Sequence, residues 1–121
     1  MRTLAIAAAL VAASAGPALA HKPSDAHLRL AASGARLDGR LDVAVRDLDS
    51  ALAVDADGDG GVTWGELTAA MPRIHAYLAG RLALAADGAP CELALGAPAL
   101  VDLSDGAYLA QPVSARCPAA P

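Results

Sequence analysis

The twelve residues Asp55-Ala56-Asp57-Gly58-Asp59-Gly60-Gly61-Val62-Thr63-Trp64-Gly65-Glu66 constrain this chain more than any other stretch. Three carboxylates stand at alternate positions and a fourth follows at the end of the run. In a chain with 11 glycines and 13 acids, a solvated Asp/Gly turn is the simplest reading. The order of the residues argues against it. A hard divalent cation takes six to eight oxygens at about 2.3–2.6 Å, so alternate residues of a tightly curled loop must point inward. Asp55, Asp57 and Asp59 then supply one carboxylate oxygen each, Gly61 its backbone carbonyl, Thr63 its hydroxyl or a water, and Glu66 both oxygens. Gly60 stands where such a loop turns sharply, and a residue without Cβ takes positive φ at little cost.

This is the D-x-[DN]-x-[DN]-G-x₅-E pattern, matched at every constrained position, and it resembles the calcium loop of EF-hand proteins. The resemblance implies Ca²⁺ as the bound ion and Val62 as the apolar residue through which EF-hands make a short β contact. The loop should lie between helices, with the whole unit spanning about 47–80. Leu48, Ala51 and Leu52 mark a short entering helix over Asp47–Val54, capped by Asp47 or Asp49. After the loop, Thr63 and Glu66 have capping-box spacing, although metal ligation competes for Glu66. Leu67, Met71, Ile74 and Leu78 form a helical stripe continuing from Trp64. Pro72 lies off that stripe and is expected to kink or restart the helix, and Gly80 to stop it.

The chain has 121 residues, enough for one domain. Met1-Arg2-Thr3, the apolar run Leu4 to Ala13 and the small-residue site Ala18-Leu19-Ala20 read as a secretory leader. Ten apolar residues fall well short of the ~20 that span a bilayer. The expectation is a signal peptide over 1–20 and an exported single domain over 21–121, periplasmic or secreted. After Ala20 there remain eight Lys/Arg against thirteen Asp/Glu, a net charge of −5. That balance argues against nucleic acid as a partner, because phosphate binding needs a basic face. The chain has no Phe, one Trp and two Tyr, so its core must be built from Ala, Leu and Val. Cores of that kind in small domains often rely on a metal or a disulfide.

Outside the loop the period is two. His27 to Ser33 alternates as a half-buried strand, with Leu28, Leu30 and Ala32 on one face. Leu37, Leu41, Val43 and Val45 alternate as its hairpin partner across Ser33-Gly34. Leu82 and Leu84 begin another strand, Asp87-Gly88 reads as a hairpin turn, and Cys91, Leu93 and Leu95 share a face. Ala99 to Leu103 and Ala107 to Arg116 flank the turn Ser104-Asp105-Gly106, and Pro112 suggests an edge position for the last strand. The fold class is therefore α+β, a small antiparallel β-structure with one inserted EF-hand helix–loop–helix. Cys91 and Cys117, the only cysteines, are expected to form a disulfide, stabilising by roughly 3 kcal/mol on the chain-entropy model. A redox or metal thiolate pair would want C-x-x-C spacing, which is absent.

The three histidines have no nucleophile motif beside them, so no catalytic site is expected. His75 reads as a surface helix residue, and His27 as lying on the polar side of its strand. Cleavage after Ala20 makes His21 the mature N-terminus. Its α-amine and imidazole then offer a second metal site for Cu²⁺ or Ni²⁺, against the simpler reading of an unstructured terminal histidine.

Several short motifs carry a second resemblance. They are His21-Lys22-Pro23-Ser24-Asp25, Arg46-Asp47-Leu48-Asp49, Thr63-Trp64-Gly65-Glu66, Ala86-Asp87-Gly88-Ala89-Pro90-Cys91, Ser104-Asp105-Gly106-Ala107-Tyr108 and Cys117-Pro118. Together they resemble the exported N-terminal region of HupE/UreJ-type bacterial membrane proteins, a family associated with hydrogenase and urease accessory functions and with metal transport. The sequence stops soon after Cys117-Pro118, where those proteins continue into membrane helices, so transport is not carried over. His27 also replaces an expected aromatic. Two readings follow. One is a non-enzymatic exported calcium-binding protein, in which Ca²⁺ stabilises the fold or an interaction surface. The other is a periplasmic metal-handling or accessory domain with a structural Ca²⁺ site, meeting a protein partner at the membrane. A monomer is expected, since the flanking strands can support a lone loop.

Overall fold

Alternating apolar residues need a second layer to cover them, and here two helices between the strands provide it. The computed structural model describes residues 25–121, so the expected leader over 1–20 and His21 lie outside the described residues. The elements follow in the order β1 (His27–Ser33), β2 (Arg36–Ala44), α1 (Val45–Leu52), α2 (Trp64–Ala79), β3 (Ala85–Ala86), β4 (Ala89–Pro90), β5 (Glu92–Leu95), β6 (Ala99–Leu103) and β7 (Gly106–Arg116). The class is α+β.

The main sheet is antiparallel and five-stranded, in the order β1-β2-β7-β5, with β6 also paired to β7. β7 is the longest strand and divides its outer side between two neighbours. β6 takes its first half, Ala99 opposite Ala110, and β5 its second, Leu95 opposite Val113. The register Leu41↔Gln111, Val43↔Leu109 and Gly39↔Val113 sets one face of β2 and β7 together. On that face Leu41, Val43, Leu109 and Val113 meet Leu48 of α1 and Leu67, Ala70, Ile74 and Leu78 of α2 in a single buried cluster. Leu67, Ile74 and Leu109 are fully buried. Each such side chain contributes about 1.5–3 kcal/mol relative to exposure, so this cluster is the main source of stability.

Several expectations about the strands and the entering helix need correction. β1 is exposed along its whole length rather than half-buried. Its alternation is real, but α1 lies against β2 and β7 and α2 against β5, so among the described residues no helix covers β1 at the sheet edge. β7 is central, not an edge, despite Pro112. Pro112 stands opposite Arg40, and its carbonyl accepts from the Gly96 N–H at 3.0 Å. In an antiparallel ladder one residue's N–H and C=O point to the same side. The missing N–H therefore falls at the break between β5 and β6, where no ladder bond is required.

The entering helix begins at Val45, two residues early, and its N-cap Ala44 makes no side-chain hydrogen bond. Val45 thus leaves the strand, and Asp49 is employed elsewhere. Finally, Leu82 and Leu84 precede rather than form a strand. The Leu82 N–H still bonds to the Leu78 carbonyl at 2.9 Å, continuing the end of α2, and both side chains lean on the core. Only Ala85–Ala86 pairs, with Ala89–Pro90, across Asp87-Gly88. The two turn residues have φ of 49° and 76°, as a type I′ hairpin turn requires.

α2 runs without interruption through Pro72, which is exposed, and stops at Gly80. Its stripe of Leu67, Ile74 and Leu78 is buried as expected, whereas Trp64 is 47% exposed and takes no part in it. Cys91 and Cys117 form a disulfide that joins the start of β5 to the end of β7. The Cys117 N–H donates to the Ala35 carbonyl at 2.8 Å, so the same end also holds the β1–β2 turn. No helix of the described residues is long and apolar enough to cross a membrane.

Candidate metal centre

Residues 53–63 connect the two helices and are pinned at both ends. Ala53 closes α1 in the left-handed conformation, φ 51°, with its N–H on the Asp49 carbonyl at 2.8 Å. The Asp49 side chain then accepts from the Asp55 N–H at 2.8 Å, which fixes where the loop begins. Val54, just before the loop, and Leu67, just after it, are buried in the core. The far end is a capping box. The Glu66 N–H donates to Thr63 Oγ1 at 3.2 Å, and the Thr63 N–H donates to Glu66 Oε2 at 2.8 Å.

Between these anchors the chain curls around its own carboxylates. Asp55 accepts from Gly58 N–H at 3.0 Å through Oδ1 and from Gly60 N–H at 2.8 Å through Oδ2. Asp57 Oδ1 accepts from Asp59 N–H at 3.2 Å, and Asp59 Oδ1 from Gly61 N–H at 2.9 Å. The sharp bend falls on Gly58 and Gly60, with φ of 69° and 87°, values that L side chains adopt only at a cost. The result brings one oxygen each of Asp55, Asp57 and Asp59 within 4.8 Å of one another.

Glu66 is not among those three. Its Oε1 accepts from the Ala56 N–H at 3.1 Å, so its two oxygens bridge the beginning and the end of the loop. Gly61 and Thr63 lie on the same curl. Val62 is half-buried against the core cluster, and a shallow cleft separates Gly60 and Val62 from Arg46 and Asp49 of α1 and from Gly106 and Ala107. The loop therefore rests on its own sheet. Arg46 secures that support by donating to the Asp105 carbonyl at 2.8 Å, while the buried Tyr108 hydroxyl donates to Asp105 Oδ2 at 2.7 Å. The same bond to Asp105 raises the Tyr108 phenol above its ordinary range.

The electrostatics follow from this crowding. The Gly60 N–H, first, holds the Asp55 carboxyl below the usual range, and the Thr63 N–H does the same for Glu66. Asp57 is pushed up, chiefly by sharing a hydrogen bond with Asp55 and further by the charges of Asp59 and Glu66. Backbone dipoles compensate part of the charge of four carboxylates at close quarters, but not all of it. All donors in the cluster are oxygens, which suits a hard cation and not a soft one.

Three residues have roles that were not read from the sequence: Asp49 anchors Asp55 at the start of the loop, and Arg46 with Asp105 ties the supporting turn to α1. His75 also differs from expectation. It is half-buried, with Nε2 2.9 Å from Oε1 of the fully buried Gln111. Gln111 Nε2 donates to the carbonyls of Gly96 and Pro112 at 2.7 and 3.0 Å, which fixes its amide orientation and makes the His75 nitrogen the donor. This is a structural network joining α2 to the β5–β6 break. His27 is exposed, and His21 lies outside the described residues. Comparison of the chain with family models, with curated proteins and with solved structures found no match to any of them.

Proposed function

We propose that the chain is a non-enzymatic, exported calcium-binding protein whose single EF-hand-type loop orders the helix pair on its sheet. The observation that carries this reading is the convergence of the Asp55, Asp57 and Asp59 carboxylates within 4.8 Å, in a loop seated between two helices. Asp55, Asp57, Asp59, the Gly61 carbonyl, Thr63 and Glu66 would hold the ion. When bound, Ca²⁺ would supply positive charge that offsets the mutual repulsion of the four acids. The chain's own part is to curl Gly58 and Gly60 so that alternate side chains face inward, and to keep Glu66 within reach through the capping box. The Cys91–Cys117 disulfide supports export, since such bonds persist in oxidising compartments.

Outside the cytoplasm Ca²⁺ reaches the millimolar range, and sites of that class bind at about 10⁻⁴–10⁻³ M. A lone loop without a partner hand belongs toward that weak end. Calorimetric titration of the mature protein with Ca²⁺ and Mg²⁺ tests the reading. Saturable Ca²⁺ binding that is lost in Glu66→Gln, with little response to Mg²⁺, is the expected result. Equal affinity of the wild type and Glu66→Gln would overturn it. The accessory-domain reading rests on His21 and on the HupE/UreJ resemblance, and nothing among the described residues favours it over the calcium reading.

A further inference from the structure

Among the described residues the sheet has two open edges, and they are built differently. On one side β6 is short, follows Pro98 and carries Asp102 opposite Ala107, a position with the same facing as Leu100 and Leu109. A proline and a charge on the helix-facing side are devices that stop an edge from pairing with another chain. β5 is only four residues long and ends at the Gly96-Ala97-Pro98 break. On the other side, β1 runs for seven residues as His27-Leu28-Arg29-Leu30-Ala31-Ala32-Ser33 without Pro, Lys or an acid. Leu28 and Leu30, at 38% and 37% exposure, stand opposite Leu41 and Gly39 and so share the face that carries the core. Gly39 lets β1 pack closely, since a Cβ there would run into the Arg29 carbonyl.

We propose that, contrary to the monomer expected from the sequence, β1 pairs antiparallel with β1 of a second copy, making a two-fold dimer with one continuous ten-stranded sheet. The sequence of the strand complements itself. An axis through Leu30 places Leu30 opposite its own copy, Leu28 opposite Ala32, Arg29 opposite Ala31 and His27 opposite Ser33. Every helix-side pair is then apolar, and no like charges lie directly opposite, which would be destabilising. Shifting the axis by one residue to Arg29 would oppose two guanidinium groups, and shifting it to Ala31 shortens the ladder. The Leu30 register therefore uses the whole strand at least electrostatic cost. It leaves both helix layers on one side, with Leu28 and Leu30 of each copy continuing the core face across the axis. Because Val62 leans on its own core, this association does not use the calcium loop.

Sedimentation equilibrium of the mature protein, up to about 1 mM, tests the proposal. The expected result is a reversible dimer that is unchanged by Ca²⁺ or chelator. Leu30→Lys and Ala32→Glu should each weaken association at least about tenfold while the low-concentration circular dichroism is retained, because both sites face solvent in the single chain. Asp102→Asn, on the opposite edge, should leave it unchanged. A Leu30→Cys variant should be joined to its copy by a short thiol cross-linker far faster than Leu28→Cys, whose copies lie four residues apart along the ladder. A wild type that stays monomeric overturns the dimer. So does a dimer that persists in both β1 variants, or one that depends on Ca²⁺. Equal cross-linking at positions 28 and 30 overturns the register, and this readout stands even if a charged variant does not fold.

Discussion

The ladder of β2 and β7 under α2 and the loop from Asp55 to Glu66 are ordered by opposite means. In the ladder, Leu109, Ile74 and Leu67 are removed from water entirely, and the strands on either side are held by backbone bonds. In the loop, nearly every side chain is exposed, and order comes from backbone N–H groups donating to carboxylates that repel one another. Apolar burial enters only at its margins, through Val54, Val62 and Leu67. The ladder's stability is thus internal to the chain. The loop's order depends on what neutralises its charge, which is why a cation is expected to act there and not on the sheet.

The largest effect should come from cutting the ladder. Leu109→Ala removes a fully buried side chain that cannot be replaced by neighbours, and should cost about 2–5 kcal/mol. Urea unfolding monitored by circular dichroism reads this as a lower midpoint at unchanged slope. Calcium should still raise the midpoint by its usual amount, because the two regions contribute separately. Loss of the calcium increment in Leu109→Ala would show that packing at β7 reaches the loop and sets its geometry, so that the two contributions do not add.

Next comes the loop itself. A ligand at about one hundred times its dissociation constant stabilises by about 2.7 kcal/mol, and at the millimolar levels of an exported protein the increment is smaller if binding is weaker. The melting temperature should therefore rise with free Ca²⁺, fall with chelator, and lose this dependence in Glu66→Gln. Melting indifferent to both Ca²⁺ and chelator would mean that the loop is peripheral to folding, and would dissolve the contrast drawn above.

What could be read in advance divides along the same line. The curl of the loop and the convergence of Asp55, Asp57 and Asp59 were legible because alternate acids and glycines are written locally, in residues only a few positions apart. So were the Asp87-Gly88 turn and the Cys91–Cys117 bond. Pro112 misled because a rule about one residue's missing donor cannot see that β5 and β6 break opposite it. β1 was assigned a buried face because alternation shows that a strand has two faces, not which elements will cover them. Leu82 and Leu84 alternate only with alanines, which fit either state. His75 could not be placed, because its partner Gln111 lies 36 positions away on another element.

That His75–Gln111 link gives an intermediate test of the ladder. Gln111→Leu keeps the volume but removes the donor to the Gly96 and Pro112 carbonyls and the acceptor for His75. Buried polar groups left unpaired cost about 1–3 kcal/mol, so the variant should be measurably less stable, yet less so than Leu109→Ala. Hydrogen exchange should report the loss at the β5–β6 break and not in the Asp55–Glu66 loop. A uniform change across both would contradict the separation of the two regions.

The smallest expected effect is that of pH on the loop without calcium. Asp55 and Glu66 are lowered by the N–H groups of Gly60 and Thr63, so their contribution is present above the unfolded value and fades as pH falls through the folded one. Asp57 is raised by its bond to Asp55, so its contribution has the opposite sign, present at low pH and lost as pH rises through the folded value. The two directions oppose one another at half-buried Asp55 and Glu66 and exposed Asp57, all of which solvent reaches and screens. In chelator, stability should therefore change little between about pH 7 and pH 5, above the ordinary carboxylate range. In Ca²⁺ it should fall once the acids begin to protonate, since the ligands must be deprotonated to bind. Parallel urea midpoints with Ca²⁺ and with chelator, carried from about pH 7 down to about pH 4, should lie apart at pH 7 and converge as the acids protonate. Curves that stay equally far apart at every pH would exclude the loop carboxylates as the source of the calcium increment.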